Sequence, residues 1–102
     1  MRYLKNIHPG EVLKEEFLEP MEISVYRLSK ETGLSETRLS QIIKGNRSIT
    51  AETAVKLGKF FGVPAEFWMN LQALYDIEEV QKLHKKEIDS IHSFQELKHA
   101  AA

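Results

Sequence analysis

Between Gly33 and Arg47 the chain reads Gly-Leu-Ser-Glu-Thr-Arg-Leu-Ser-Gln-Ile-Ile-Lys-Gly-Asn-Arg. Hydroxyl, carboxamide and cationic side chains recur through it. These groups hydrogen-bond to base edges and phosphate oxygens. Their spacing adds to the signal. At about 100° per residue, Thr37, Gln41 and Lys44 share one side of a helix, with Arg38 and Ser40 on its flanks. Leu39, Ile42 and Ile43 fall on the opposite side. Such a helix would be anchored by three apolar residues and turn a polar, cationic face outward. A helix of this kind fits the DNA major groove, where a carboxamide suits adenine and a guanidinium suits guanine. A merely solvated face would use the same residue types, so the wheel alone leaves both readings open.

This stretch needs support. Ser35 can cap its first turn, and Gly45 can take the left-handed turn after its last. About nine residues do not form a stable helix alone, because nucleation is costly. Upstream, Ser24 caps a predicted helix over Val25–Thr32 with Leu28 inward, and Gly33 ends it in the tight turn that lets two helices meet steeply. Downstream, the loop from Gly45 leads to Thr50, a good cap for a helix over Ala51–Phe61. Glu52 sits there in the first turn, where the helix dipole favours an anion. Ala54, Leu57 and Phe61 line its inner side, with Phe60 alongside.

Two further helices flank this trio. His8-Pro9-Gly10 precedes a predicted helix over residues 11–19, with Val12, Leu13 and Phe17 inward and Pro20 as its stop. Gly62-Val63-Pro64 opens a fifth helix carrying Phe67, Trp68, Leu71, Leu74 and Tyr75 at three- and four-residue steps. This stripe reads first as core. Phe67, Trp68 and Leu71 are also the candidates for closing against a second subunit. Beyond residue 76, Ile77, Val80, Leu83, Ile88 and Ile91 keep an interrupted helical period, which Phe94 and Leu97 can continue. The chain divides into an N-terminal arm (1–8), a helix-turn-helix domain (9–76) and a helical C-terminal extension (77–102). The fold class is all-α.

Composition narrows the function. The 102 residues are 42% hydrophobic and 28% charged, enough for one folded domain with a modest core. No cysteine is present, so disulfide frameworks and thiolate metal sites are excluded. The first residues lack the apolar core of a signal peptide, and no run is long enough to span a membrane, so a cytoplasmic protein is expected. Net charge is −1, but it is unevenly distributed. Residues 24–59 carry seven basic and three acidic side chains, and residues 63–102 carry four basic and seven acidic. The first region suits a polyanion. His8, His84, His92 and His99 lack zinc-helix spacing, so no metal is expected, and no cofactor. No nucleophile or phosphate-loop motif points to an enzyme.

Several blocks in order resemble the HigA family of antitoxins, also called virulence-associated protein I. They are His8-Pro9-Gly10-Glu11, Glu15-Glu16-Phe17-Leu18 with Pro20, Tyr26-Arg27-Leu28 leading to Gly33-Leu34-Ser35, Arg47 to Ala54, and Pro64 to Gln72 with Tyr75-Asp76. The resemblance covers about residues 8–83. It implies a five-helix, phage-repressor-like domain that binds an inverted-repeat operator as a homodimer and represses its own operon. It also implies a small ribonuclease toxin of the HigB/RelE kind as partner; a stand-alone XRE-type regulator without a toxin is the alternative. By this resemblance Thr37, Arg38 and Gln41 read bases, and Ser35, Ser40, Lys44 and Arg47 hold phosphates. Two positions depart from the pattern: Val25 replaces a frequent Gln, and Ser29 a usual Ala.

Overall fold

Every element described in the computed structural model of this protein is a helix. The structure describes residues 5–101, with side chains through His99; the first four residues of the predicted arm lie outside it. The first helix, α1, opens at Pro9, where a missing N–H costs nothing. His8 caps it, its Nδ1 accepting from the Gly10 N–H at 2.9 Å. Three consecutive segments, Pro9–Val12, Leu13–Leu18 and Glu19–Met21, make up α1, and the middle one is π-helical.

Pro20 therefore does not stop the helix as its type predicts. In the π register the N–H of Glu19 bonds to Lys14, five residues back. That wider turn relaxes the clash a proline ring makes with the carbonyl four residues before it. The stop comes at Glu22, in the left-handed region at φ 56°. Its N–H bonds to the Glu19 carbonyl at 3.1 Å, and the Ile23 N–H reaches Leu18 at 2.9 Å. This is a C-cap normally built on glycine.

Helices α2 (Val25–Thr32) and α3 (Glu36–Ile43) follow, capped by the hydroxyls of Ser24 and Ser35, each accepting a main-chain N–H at 3.0 Å. Gly33, at φ 78°, turns the chain between them. The turn is tied by side chains of α2. The Ser29 hydroxyl donates to the Leu34 carbonyl, and Thr32 Oγ1 accepts from the Leu34 N–H at 3.2 Å. With its main chain satisfied, Leu34 buries its side chain in the core. Val25 is partly buried against the same core.

Helix α4 (Ala51–Phe61) is capped by Thr50 and ends at Gly62. Helix α5 (Ala65–Leu83) runs unbroken past Asp76. Two short helices, α6 (Lys85–Asp89) and α7 (Phe94–Ala101), complete the described chain, and every described side chain from Gln81 onward is exposed.

All five domain helices meet in one core. Leu13, Leu28, Leu39, Ile42, Leu57 and Trp68 are fully buried there. The Phe17 ring lies 4.9 Å from that of Trp68 and 4.8 Å from that of Phe61. The aromatic stripe of α5 is thus divided. Trp68 is interior to a single chain, so it offers no surface to a second subunit, a correction to its candidacy as an interface residue. Phe67 and Leu71 are half-buried, and Leu74 is exposed.

The tightest approach is between α1 and α3. A Cβ on Gly10 would stand 1.8 Å from the carbonyl oxygen of Ile42 and 2.9 Å from the Cα of Ile43. Both neighbours are main chain, so neither can yield by turning a rotamer. Gly10→Ala should cost ~3 kcal/mol or more, because the whole of α1 must back away from α3. Urea unfolding of the purified variant measures this, and an unchanged midpoint would contradict the contact.

Candidate nucleic-acid interface

Helix α3 carries the exposed polar face that its periodicity predicts. Leu39 and Ile42 are buried and Ile43 half-buried, while Thr37, Gln41 and Lys44 are exposed. Arg38 and Ser40 are half-buried at the edges of that face. Ser35, assigned by resemblance to phosphate, uses its hydroxyl oxygen to accept from the Arg38 N–H; the hydroxyl hydrogen remains for another acceptor.

Three cations of this surface already have partners. Arg38 Nη1 donates to Glu52 Oε1 at 3.2 Å across the gap to α4. The other oxygen of Glu52 takes Lys56 at 2.9 Å. Hydrogen bonds from Lys56 and then Arg38 hold the Glu52 carboxyl below the usual carboxylate range. Arg47 Nη1 donates to Gln41 Oε1 at 3.0 Å. Arg38 and Arg47, a base-reading and a phosphate-binding candidate, line one cleft with Ser48, Thr50 and Glu52, between α3, the loop after it and the start of α4. Glu52, read from sequence as a helix-dipole residue, is also the partner of Arg38. Arg38 and Glu52 lie fourteen residues apart, and no local pattern links them.

The loop between α3 and α4 is held from below. Gln72, almost fully buried in α5, accepts the Ile49 N–H at 2.7 Å through its side-chain oxygen and donates to Asp76 at 2.9 Å. His8 is buried beneath the same loop. Its ring meets Tyr75 edge-on with centroids 4.8 Å apart and hydrogen-bonds to the Arg47 main chain. Asn6 ties the segment before it to α5 through the Tyr75 carbonyl at 2.9 Å. The local sequence shows neither the Gln72 nor the His8 role; the position of His8 before Pro9-Gly10 is the one available clue to a cap. Among the described residues no cluster of His, Asp or Glu could hold a metal ion, and no helix is long and apolar enough to cross a membrane.

A short polar helix presented after a tight glycine turn on a five-helix core defines a helix-turn-helix domain. The helix-turn-helix family model matches residues 14–68. Virulence-associated protein I of Dichelobacter nodosus is 42% identical over 76 residues, which cover 74% of this chain and 70% of that protein. The Pseudomonas aeruginosa antitoxin HigA, solved with the higBA promoter, superposes with a TM-score of 0.84 at 35% identity, covering 88% of this chain and 99% of that one. An addiction module antidote protein of the HigA family from Coxiella burnetii gives a TM-score of 0.83 at 42% identity, with coverage of 88% and 99%. The chain belongs to the helix-turn-helix family, and within it to the HigA antitoxins.

Because His8 caps α1 as a neutral acceptor, its Nδ1 taking the Gly10 N–H, the stability of the fold should respond to pH. Burial lowers its pKa below the ordinary 6.5, although Asp76 and Glu11 pull it upward. The unfolded chain therefore binds the proton first. The contribution of His8 to stability is complete above pH 6.5 and declines as pH falls from there through the folded value. The urea midpoint of the native chain should drop between pH 7.5 and 5.5. His8→Asn, which keeps a cap acceptor without a titrating ring, should show a smaller drop; equal drops would remove His8 as the cause.

Proposed function

We propose that this protein binds operator DNA upstream of its own gene as a homodimer, with α3 in the major groove of each half-site, and represses its operon. The observation that carries this reading is the exposed Thr37–Gln41–Lys44 face of α3, flanked by Arg38 and Arg47, within a HigA-type helix-turn-helix. Thr37, Arg38 and Gln41 face base edges in this arrangement. Ser35, Ser40, Lys44 and Arg47 face phosphates and set affinity and salt dependence. A domain this small reads few bases, so two copies bind half-sites roughly 34–36 Å apart. The dimer seam draws on the apolar surface of α5, where Leu71, Leu74 and Ile77 line one groove. In the cytoplasm the dimer also neutralises a small ribonuclease toxin of the HigB/RelE kind. Co-expression with the product of the neighbouring gene tests that partnership.

The DNA-binding step is tested by gel shift against the upstream DNA at two salt concentrations. Native protein should bind tightly and less so at high salt. The Arg38→Ala/Gln41→Ala double variant should lose about a hundredfold, since each good base contact is worth ~1–3 kcal/mol. A folded protein that shifts no upstream DNA would sink autorepression.

Glu52 makes a second test of the same surface. Glu52→Gln removes the one carboxylate shared by Arg38 and Lys56. Affinity for unrelated duplex DNA should rise about threefold or more, and the slope of log Kd against log salt should steepen. Unchanged binding to unrelated DNA would place Glu52 away from the phosphates.

A further inference from the structure

Arg47 and Gln41 are both exposed, six residues apart, and joined by a hydrogen bond of 3.0 Å. A guanidinium has only donors, so the Gln41 atom that faces it is the carboxamide oxygen; no assignment of hydrogens is needed to know this. We infer that Arg47 is a positioning residue for specificity, fixing the Gln41 carboxamide so that α3 reads guanine at the position Gln41 meets. The inference rests on the DNA-binding reading above and adds the base to it.

The backbone brings the pair together. The turn at Gly45 (φ 82°) folds the chain back, with the Asn46 N–H on the Gln41 carbonyl at 2.8 Å. Residue 47 then returns beside residue 41. It is tethered on both sides, by the His8 hydrogen bond to its own main chain and by the Gln72 bond to the Ile49 N–H. Arg47 is thus a side chain on a fixed stem.

The consequence is chemical. A free glutamine offers an acceptor and a donor side by side, which matches N6–H and N7 of adenine. Arg47 occupies one of the two lone pairs of the Gln41 oxygen and sets a cation beside the other, so the groups the pair offers most freely are the two N–H groups of Gln41 and the further N–H groups of Arg47. Two neighbouring donors match the N7 and O6 acceptors of guanine. Adenine and cytosine each present an amino group to the major groove, which this pair of donors repels. Arg47 still has N–H groups left for a phosphate, so both roles fit one side chain.

The test uses full-length protein and fluorescence anisotropy on upstream duplexes in which each half-site position is changed to all four base pairs. The position read by Gln41 is the one whose preference Gln41→Ala levels. There the native protein should prefer guanine over adenine about tenfold. Arg47→Met should shift that preference towards adenine and leave the order of bases at other positions unchanged. Helical circular dichroism confirms that the variant is folded. An adenine preference in the native protein, or an equal loss on every duplex in Arg47→Met, would overturn the inference while leaving DNA binding intact. Failure to bind any duplex would instead overturn the DNA-binding function, and this inference with it.

Discussion

The main chain of α1 lies directly against the last turn of α3, and only a residue without a Cβ permits it. With Gly10 in place, the Ile42 carbonyl comes within reach of α1 and the polar helix is fixed at its C-terminal end. Its neighbours serve the same contact. Pro9 starts the helix there, and His8 supplies the cap and a ring that fills the space under the following loop. The three residues act as one support. The close approach sets the position, the cap satisfies a main-chain donor, and the ring carries the contact on to α5.

Buried polar groups supply the second layer of order. A main-chain group left unpaired in the interior costs about 1–3 kcal/mol, and the connections on either side of α3 have side chains that meet this need. Ser29 and Thr32 satisfy both polar groups of Leu34, and Gln72 reaches Ile49. These bonds let Leu34 and Ile49, both in connections, contribute fully buried side chains to the core. A small domain gains core volume this way without longer helices. It also holds the loops on either side of α3 rigidly.

Outside this frame the surface is divided. The α3–α4 side carries paired cations whose partners, Glu52 and Gln41, hold them in defined places before any nucleic acid arrives. Preorganised side chains lose less freedom on binding. The far end is different. From Leu74 to Leu97, eight large apolar residues stand exposed along α5, α6, α7 and the link between the last two, and the molecule extends to 63 Å in its longest dimension. This half also carries an acidic excess, seven acidic against four basic side chains over residues 63–102. The two ends differ in kind: one holds paired cations in place, and the other leaves large apolar side chains exposed.

The local sequence determined what depends on neighbours within a turn or two. The caps Ser24, Ser35 and Thr50, the glycine turns and the two faces of α3 follow from hydrogen bonding and a period of 3.6 residues, and all are legible there. Several matching blocks in one order identified the family as well. Tertiary structure decided everything that joins distant positions. The passage of α1 through Pro20 depends on a π turn whose register no periodicity reveals. Burial of Trp68, while Leu74 on the same helix stays exposed, depends on where Phe17 and Phe61 arrive. The pairing of Arg38 with Glu52 and of Ile49 with Gln72 spans fourteen and twenty-three residues. Helical period and capping act over about four residues; packing and long-range hydrogen bonds act through space, so only the folded chain brings their partners together.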